Sequence, residues 1–371
     1  MGFFGVGTSA PSERPGSGRP ETTGDTDAAV RTDAAVVTDA VAATATVPPA
    51  HPSAPIPVQG PALGASVRSP LGETGLEVFP LVLGGAEFGW HVDPKVAHAI
   101  LDAYAGWGGN ALHTCDAYAS GRSEHIIGQW MRARGLRDEI VLGVRVGGGA
   151  EHPGLGSVNL VRAVEASLTR LDTDRIDVLY LDATADTQTA LEDTLATADW
   201  LVGAGKVRAL GAFGHTAAQL VESRILASAG YPRLTVLDVP YNVLRRKDFD
   251  GDLRLVAGAQ GIAVTPSQAL EHGFLAGAHR SRSMMGTSVR GVQLAAAMNR
   301  RGTRTLRALD AVGAELSVPP AAVAIAWLRA QRGIVAPIVN AFAVSHIEEL
   351  VQGVGVRLSR TQLAEIARAA D

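Results

Sequence analysis

From Val67 onward the chain repeats one unit: a short apolar run of strand length, then a longer run with helical apolar spacing. This alternation is what most restricts the possible folds. A strand of four to seven apolar residues has to be buried on both faces, and a helix after every strand supplies the cover. The strands read as Val78 to Leu83, Ala111-Leu112, Ile140 to Val146, Ile176 to Leu181, Val207 to Ala212, Val236 to Val239, Ile262 to Thr265 and Val335 to Val339. Between them the spacing predicts helices at Pro94 to Trp107, His125 to Arg134, Ser157 to Leu171, Ala190 to Val202, Ala217 to Ala229 and Gly251 to Gln260. Four more follow, at Thr303 to Leu316, Pro320 to Gln331, Val344 to Val354 and Thr361 to Ala370. Eight strands alternating with helices over about 300 residues is the count of a (β/α)8 TIM barrel. A doubly wound open sheet would place a G-x-G-x-x-G turn after the first strand. Gly84-Gly85 does not continue that way. The glycines at 72 and 75 read as a small N-terminal β-hairpin ahead of the barrel.

Residues 1–66 are a different material, rich in Ala, Thr, Pro, Ser and Gly and without Trp or Tyr. A short repeat runs through them: Thr26-Asp27-Ala28-Ala29-Val30, Thr32-Asp33-Ala34-Ala35-Val36, Thr38-Asp39-Ala40-Val41. Such a segment buries too little apolar area to offset its ordering entropy, so a disordered tail is expected, with the barrel domain spanning residues 67–371. A solubilising role and a protein-binding role, with Phe3-Phe4 as anchor, are both open to it. No apolar run reaches the roughly 20 residues that span a bilayer. The start has neither a basic region nor a long apolar one, and the single Cys115 forms no internal disulfide. A cytoplasmic location without membrane attachment is the expectation. The net charge of −4 provides no basic field for nucleic acid. Arginine far outnumbers lysine, which occurs only at 95, 206 and 247, a bias of GC-rich bacterial genomes.

Polar residues at the C-terminal ends of barrel strands are where this architecture places its chemistry. The densest such stretch is Asn110 to Gly128, NALHTCDAYASGRSEHIIG. It resembles the aldo-keto reductase signature D-T-A-x-x-Y-G-x-G-x-S-E at Thr114, Tyr118, Gly121, Ser123 and Glu124. Further resemblances to that family run through the chain in order. They are Thr74-Gly75-Leu76-Glu77-Val78, Ser167-Leu168 with Arg170-Leu171 and Asp177, Gly205-Lys206-Val207-Arg208, Tyr241-Asn242 with Arg246, and Gly273-Phe274-Leu275.

The resemblance implies hydride transfer from NADPH to an aldehyde or ketone, with a tyrosine protonating the oxygen. An ordinary phenol has a pKa near 10, so a neighbouring cation has to make its proton mobile. Tyr118 matches the tyrosine. His113 stands at the family's aspartate, Arg145 at its lysine and Asp182 at its histidine. These four are the candidate catalytic residues: one phenol, one imidazole, one cation and one acid. Decay of an old site and remodelling into a new one both fit that set. In a remodelled site His113 is an acid or base, Tyr118 a proton donor and Arg145 a fixed charge, with Asp182 orienting Arg145 or His113.

The positions implied for the cofactor also depart from the family. Phe213-Gly214 replaces Ser-Asn, Asp238 replaces Gln, and Gln268-Ala269-Leu270 replaces S-P-L. After the last strand, Asn340 to Leu350 keeps only Glu349 of the residues that hold the 2′-phosphate and adenine. The nucleotide candidates are therefore Tyr241, as a stacking surface, with Asp238 and Glu349. NADPH is the cofactor that the resemblance implies, and these positions erode its contacts. Two expectations follow from the departures. One is a non-redox acid–base enzyme acting on a small carbonyl compound, or a non-catalytic binding protein. The other is an NADPH-dependent oxidoreductase with altered geometry.

Three lesser features remain. Cys115 shares a strand face with His113, as a nucleophilic pair would, and a buried inert thiol reads equally. His113 with Asp116, His215 or His272 has no metal-ligand spacing, so no metal is expected. The loop from 279 to 307 collects Arg280, Arg282, Arg290, Arg300, Arg301, Arg304 and Arg307, open to an anionic ligand or to solvent.

Overall fold

The computed structural model describes residues 67–280 and 291–371. The expected tail, together with Arg282 and Arg290, lies outside the described residues. A two-stranded antiparallel hairpin, β1 (Ser69–Pro70) and β2 (Glu77–Val78), comes first. Eight parallel strands follow: β3 (Val82–Gly84), β4 (Ala111–Cys115), β5 (Val141–Val146), β6 (Ile176–Asp182), β7 (Val207–Phe213), β8 (Leu234–Asp238), β9 (Ala263–Val264) and β10 (Ile338–Val339). They pair in the order β10-β3-β4-β5-β6-β7-β8-β9. The chain just before β10 bonds back to β9, with Val264 N donating to Gly333 O and Val335 N to Val264 O. This closes the ring, and the (β/α)8 fold read from the alternation is the fold observed.

One expected strand is split. Val78 ends the hairpin, and the barrel strand begins only at Val82, because Pro80 lies between them without a backbone N–H for a ladder. The last strand shortens to Ile338–Val339 for the same reason, at Pro337. A helix at Gly291–Ala297 lies inside the region read as loop.

Strand parity separates two cores. Leu112, Leu142, Val144, Leu179, Leu181, Leu210 and Leu237 point outward and join the helices in the larger one. Val78, Ala111, Val178, Tyr180 and Val236 point into the lumen, whose lower end Leu71 and Leu76 of the hairpin segment plug. The same parity brings His113, Arg145, Asp182, Phe213 and Asp238 into the upper lumen. Among the described residues no single helix is long and apolar enough to cross a membrane.

Candidate active site at the barrel mouth

Each lumen-facing column runs from apolar at the bottom to polar at the mouth: Ala111 to His113 to Cys115, Val141 to Gly143 to Arg145, Val178 to Tyr180 to Asp182. Asp182, Phe213 and Asp238 end three successive strands and pair with one another in register. Tyr180 fills the middle of the lumen. A Cβ at Gly211 would lie 2.5 Å from its ring and one at Gly143 2.9 Å, so both neighbouring columns are glycine where the ring passes. Its hydroxyl lies 3.2 Å from Thr265 Oγ1. Its ring meets His113 edge to face at 5.2 Å.

The loop after β4 carries Tyr118 on a tight turn in which Ala119 and Ser120 take φ of 50° and 55°. The polar residues around it fasten that loop. Ser123 Oγ donates to Gly85 O and lies 2.9 Å from Thr114 Oγ1. Buried Glu124 takes the Arg170 guanidinium. A side chain at Gly121, where φ is 83°, would run into Arg170. Thr114, Gly121, Ser123 and Glu124 thus carry the resemblance for structural reasons.

Of the four catalytic candidates, the mouth brings Arg145, Tyr118 and Asp182 together. The Arg145 guanidinium lies 4.0 Å from the Phe213 ring centre and 5.6 Å from that of Tyr118. Its Nε is 3.5 Å from Asp182 Oδ2. Asp182 Oδ1 accepts from the Thr184 backbone N–H and hydroxyl. The expectation that Asp182 orients Arg145 or His113 resolves to Arg145.

His113 turns to another acid. Its Nε2 lies 3.7 Å from Asp238 Oδ2, and both side chains are buried. Asp238, read from sequence as a cofactor contact, is therefore the residue that faces His113. Strand parity places both residues in the lumen without pairing them. His113 Nε2, Arg145 Nε and both Asp238 oxygens are buried without a hydrogen-bond partner.

Burial and then the Arg145 charge push the His113 pKa down to about 3, so its imidazole is neutral. Burial raises Asp238 to about 6, against the pull of Arg145 and Ser267. Burial also holds the Tyr118 phenol well above its ordinary value, Arg145 pulling the other way with less effect. Burial opposes the charge of Arg145, but Tyr118, Cys115 and Asp238 outweigh it and the group stays cationic. Burial pushes the Cys115 thiol up to about 12, which leaves it a poor nucleophile.

Tyr241 does not reach the mouth. It is 1% exposed, enclosed by Phe249 at 5.2 Å and Trp327 at 5.9 Å, and its hydroxyl donates to Asp250. The residue read from sequence as a stacking surface for a cofactor ring is thus packed among core aromatics. Glu349 is exposed on the helix Val344–Gly355. Asn340 accepts from the Ala86 backbone N–H and so braces the loop after β3. Among the described residues no group of three His, Cys, Asp or Glu side chains is placed to hold a metal ion.

Comparison with known proteins gives a consistent result. The chain is 32% identical over 319 residues to norsolorinic acid reductase of Emericella nidulans, covering 81% of this chain and 80% of that protein. It is 31% identical over 322 residues to an aldo-keto reductase of Aspergillus calidoustus, covering 80% of each. It is also 29% identical, over 77% of this chain and 90% of the other, to an Arabidopsis thaliana protein named "Probable voltage-gated potassium channel subunit beta". The model of the Aldo/keto reductase family matches residues 80–371, and together with a closed eight-stranded barrel and the fastened loop around Tyr118 this makes the chain a member of the aldo/keto reductase family.

Proposed function

We propose that the barrel mouth binds a small carbonyl compound and performs acid–base chemistry on it without hydride transfer. One observation carries this reading: His113 Nε2, Arg145 Nε and both oxygens of Asp238 are buried in one part of the lumen without a partner. Buried polar atoms left unpaired cost roughly 1–3 kcal/mol each, and such groups collect where a ligand or water supplies the missing bonds. Arg145 presents a planar set of donors to an oxygen atom, in surroundings where its charge cannot be lost. Asp238, near pKa 6, can take and return a proton at neutral pH. In this reading the carbonyl oxygen is held by Arg145, and a proton from the adjacent carbon passes to Asp238. The negative charge collects on the oxygen beside Arg145, and Asp238 returns the proton.

The residues at the positions implied for NADPH do not fit that cofactor. Phe213 and Gly214 bring no side-chain hydrogen-bond donor, Asp238 is a buried acid where the family has an amide, and Tyr241 is closed into the core. The test is exchange of carbon-bound protons of small aldehydes, ketones and 2-oxo acids in D2O, followed by NMR. Exchange by the protein, abolished in Asp238→Asn, is the expected result. Isothermal titration with NADPH and NADP+ is the counter-test, and micromolar binding overturns the proposal.

The second reading is an NADPH-dependent oxidoreductase with altered cofactor geometry. The names of the fungal relatives and the retained Tyr118 favour it. Consumption of NADPH with an aldehyde or ketone substrate would establish it in place of the first.

A further inference from the structure

A second feature lies on the outer wall and does not depend on the reaction at the mouth. The helices α4 (Leu191–Gly203), α5 (Ala217–Ser228) and α6 (Asp252–Ala259) stand side by side around the barrel. Each presents large apolar side chains to solvent: Trp200, Val221 and Ile225, and Leu255. Ile225 is 65% exposed and Leu255 71%. Isolated exposed apolar residues are ordinary, but large apolar side chains exposed on three neighbouring helices mark an interaction surface.

The helix α5 shows how the face is built. Its inward side is made by Leu220 and Ser223, both buried. Val221 and Ile225 are one turn apart, each about 160° around the helix from Ser223, so they form an outward seam. The helix has apolar residues on both faces, which a surface helix with a single partner does not need. Glu222 and Arg224 flank the seam, one on each side, about 100° from Ser223. Both are exposed. Neither has a side-chain partner among the described residues.

We infer that this face is a self-association surface whose occupant is a second copy of this chain. The charges specify the occupant. A twofold axis parallel to α5 lays two copies of that helix side by side in the same direction. The Val221/Ile225 seams then meet. One flank of each helix faces the opposite flank of the other, so Glu222 meets Arg224 in both directions. Such self-complementarity is what a symmetric two-body contact requires. Trp200 and Leu255 on the adjoining helices widen the apolar centre, and exposed tryptophan is a residue type that anchors interfaces.

Sedimentation equilibrium of the full chain tests this. A concentration-dependent dimer is expected. Ile225→Asp should give a monomer with unchanged circular dichroism and melting temperature, since the side chain is exposed in one copy. Glu222→Arg should weaken association by about tenfold or more by setting arginine against arginine. The double variant Glu222→Arg/Arg224→Glu should restore it. A chain monomeric at every concentration overturns the inference. So does a dimer unaffected by Ile225→Asp and Glu222→Arg, or one that the double variant fails to restore.

Discussion

His113 and Asp238 face each other at 3.7 Å across the barrel lumen, from strands β4 and β8, which are not neighbours in the sheet. Neither residue reaches solvent to any useful extent. The pair gives the upper lumen an acid that titrates near neutrality and an imidazole that does not. A cation, Arg145, lies two residues farther along the neighbouring strand than Gly143, the register partner of His113. The family's proton donor is instead a phenol. Here that phenol is held far from a titrating range, with the cation over its ring face and no bond to its hydroxyl among the described residues.

The buried acid makes stability depend on pH with a definite sign. The pKa of Asp238 is raised by folding from 3.8 to about 6, so the folded state binds its proton more tightly than the unfolded state. Its contribution is most favourable below the unfolded value and is lost as pH rises through about 6. A shift of about two units corresponds to roughly 3 kcal/mol. Asp238→Asn should therefore stabilise the protein above pH 6, with the gain shrinking toward pH 4. Thermal melts of both proteins across that range measure it. His113 acts in the opposite sense. Its pKa is lowered to about 3, so its contribution is present above 6.5 and is lost as pH falls toward 3. His113→Asn should flatten the acid side of the same curve.

Arg145 is held against Phe213 at 4.0 Å and beside Asp182 at 3.5 Å, a position that aims its donors without saturating them. If it stabilises charge developing on a carbonyl oxygen, Arg145→Met should lower proton exchange by about 10²–10³. Arg145→Lys should recover only part, because an ammonium neither stacks on a ring nor donates two parallel bonds. Exchange rates in D2O for the three proteins decide this. Equal rates in all of them would remove Arg145 from the chemistry.

Tyr118 separates the two functional readings. A proton-donating phenol contributes roughly 10²–10⁴ to the rate, and Tyr118→Phe would remove it. In the non-redox reading the hydroxyl does no work, and the variant should exchange protons within a few-fold of the wild-type rate. Parallel assays of proton exchange and NADPH oxidation on the same preparation expose the difference.

Much of the fold was legible because parity and period are local properties. The apolar runs located the eight barrel strands, and Ser157–Leu171 forms a helix at the bounds its spacing predicts. Two strand starts shifted at prolines, Pro80 and Pro337, where the apolar run continues but the ladder cannot, while the second barrel strand runs on past Leu112 through polar residues to Cys115. The catalytic candidates were legible from the resemblance. Their partners were not. That Asp238 meets His113, and that Tyr241 is walled in by Phe249 and Trp327, depends on which inward residues meet across the lumen and which aromatics the outer helices cover. Neither follows from spacing along the chain. A register argument could have found Tyr180, since Gly143 and Gly211 lie on the two strands flanking its own. Restoring a side chain there should be costly. Gly211→Ala places a Cβ 2.5 Å from the Tyr180 ring, inside a packed lumen, and should destabilise by about 1–3 kcal/mol in denaturant melts.

Rebuilding the family's catalytic set should not by itself restore the family's cofactor. The triple variant His113→Asp/Arg145→Lys/Asp182→His supplies the aspartate, lysine and histidine around Tyr118. It leaves Phe213 without a hydrogen-bonding group and Tyr241 sealed in the core. Each missing charge-assisted bond costs roughly 1.5–3 kcal/mol, and the nucleotide positions lack several. The triple variant should therefore remain without micromolar affinity for NADPH by isothermal titration. Adding Phe213→Ser/Gly214→Asn tests whether the deficit resides on the strand ends. The Gly214→Asn step has its own obstacle: φ is 71° there and a Cβ would lie 2.3 Å from Thr184 Cγ2, so Thr184→Ser has to accompany it. Nucleotide binding by the triple variant alone would place the loss in the catalytic residues and return the site to the reductase reading.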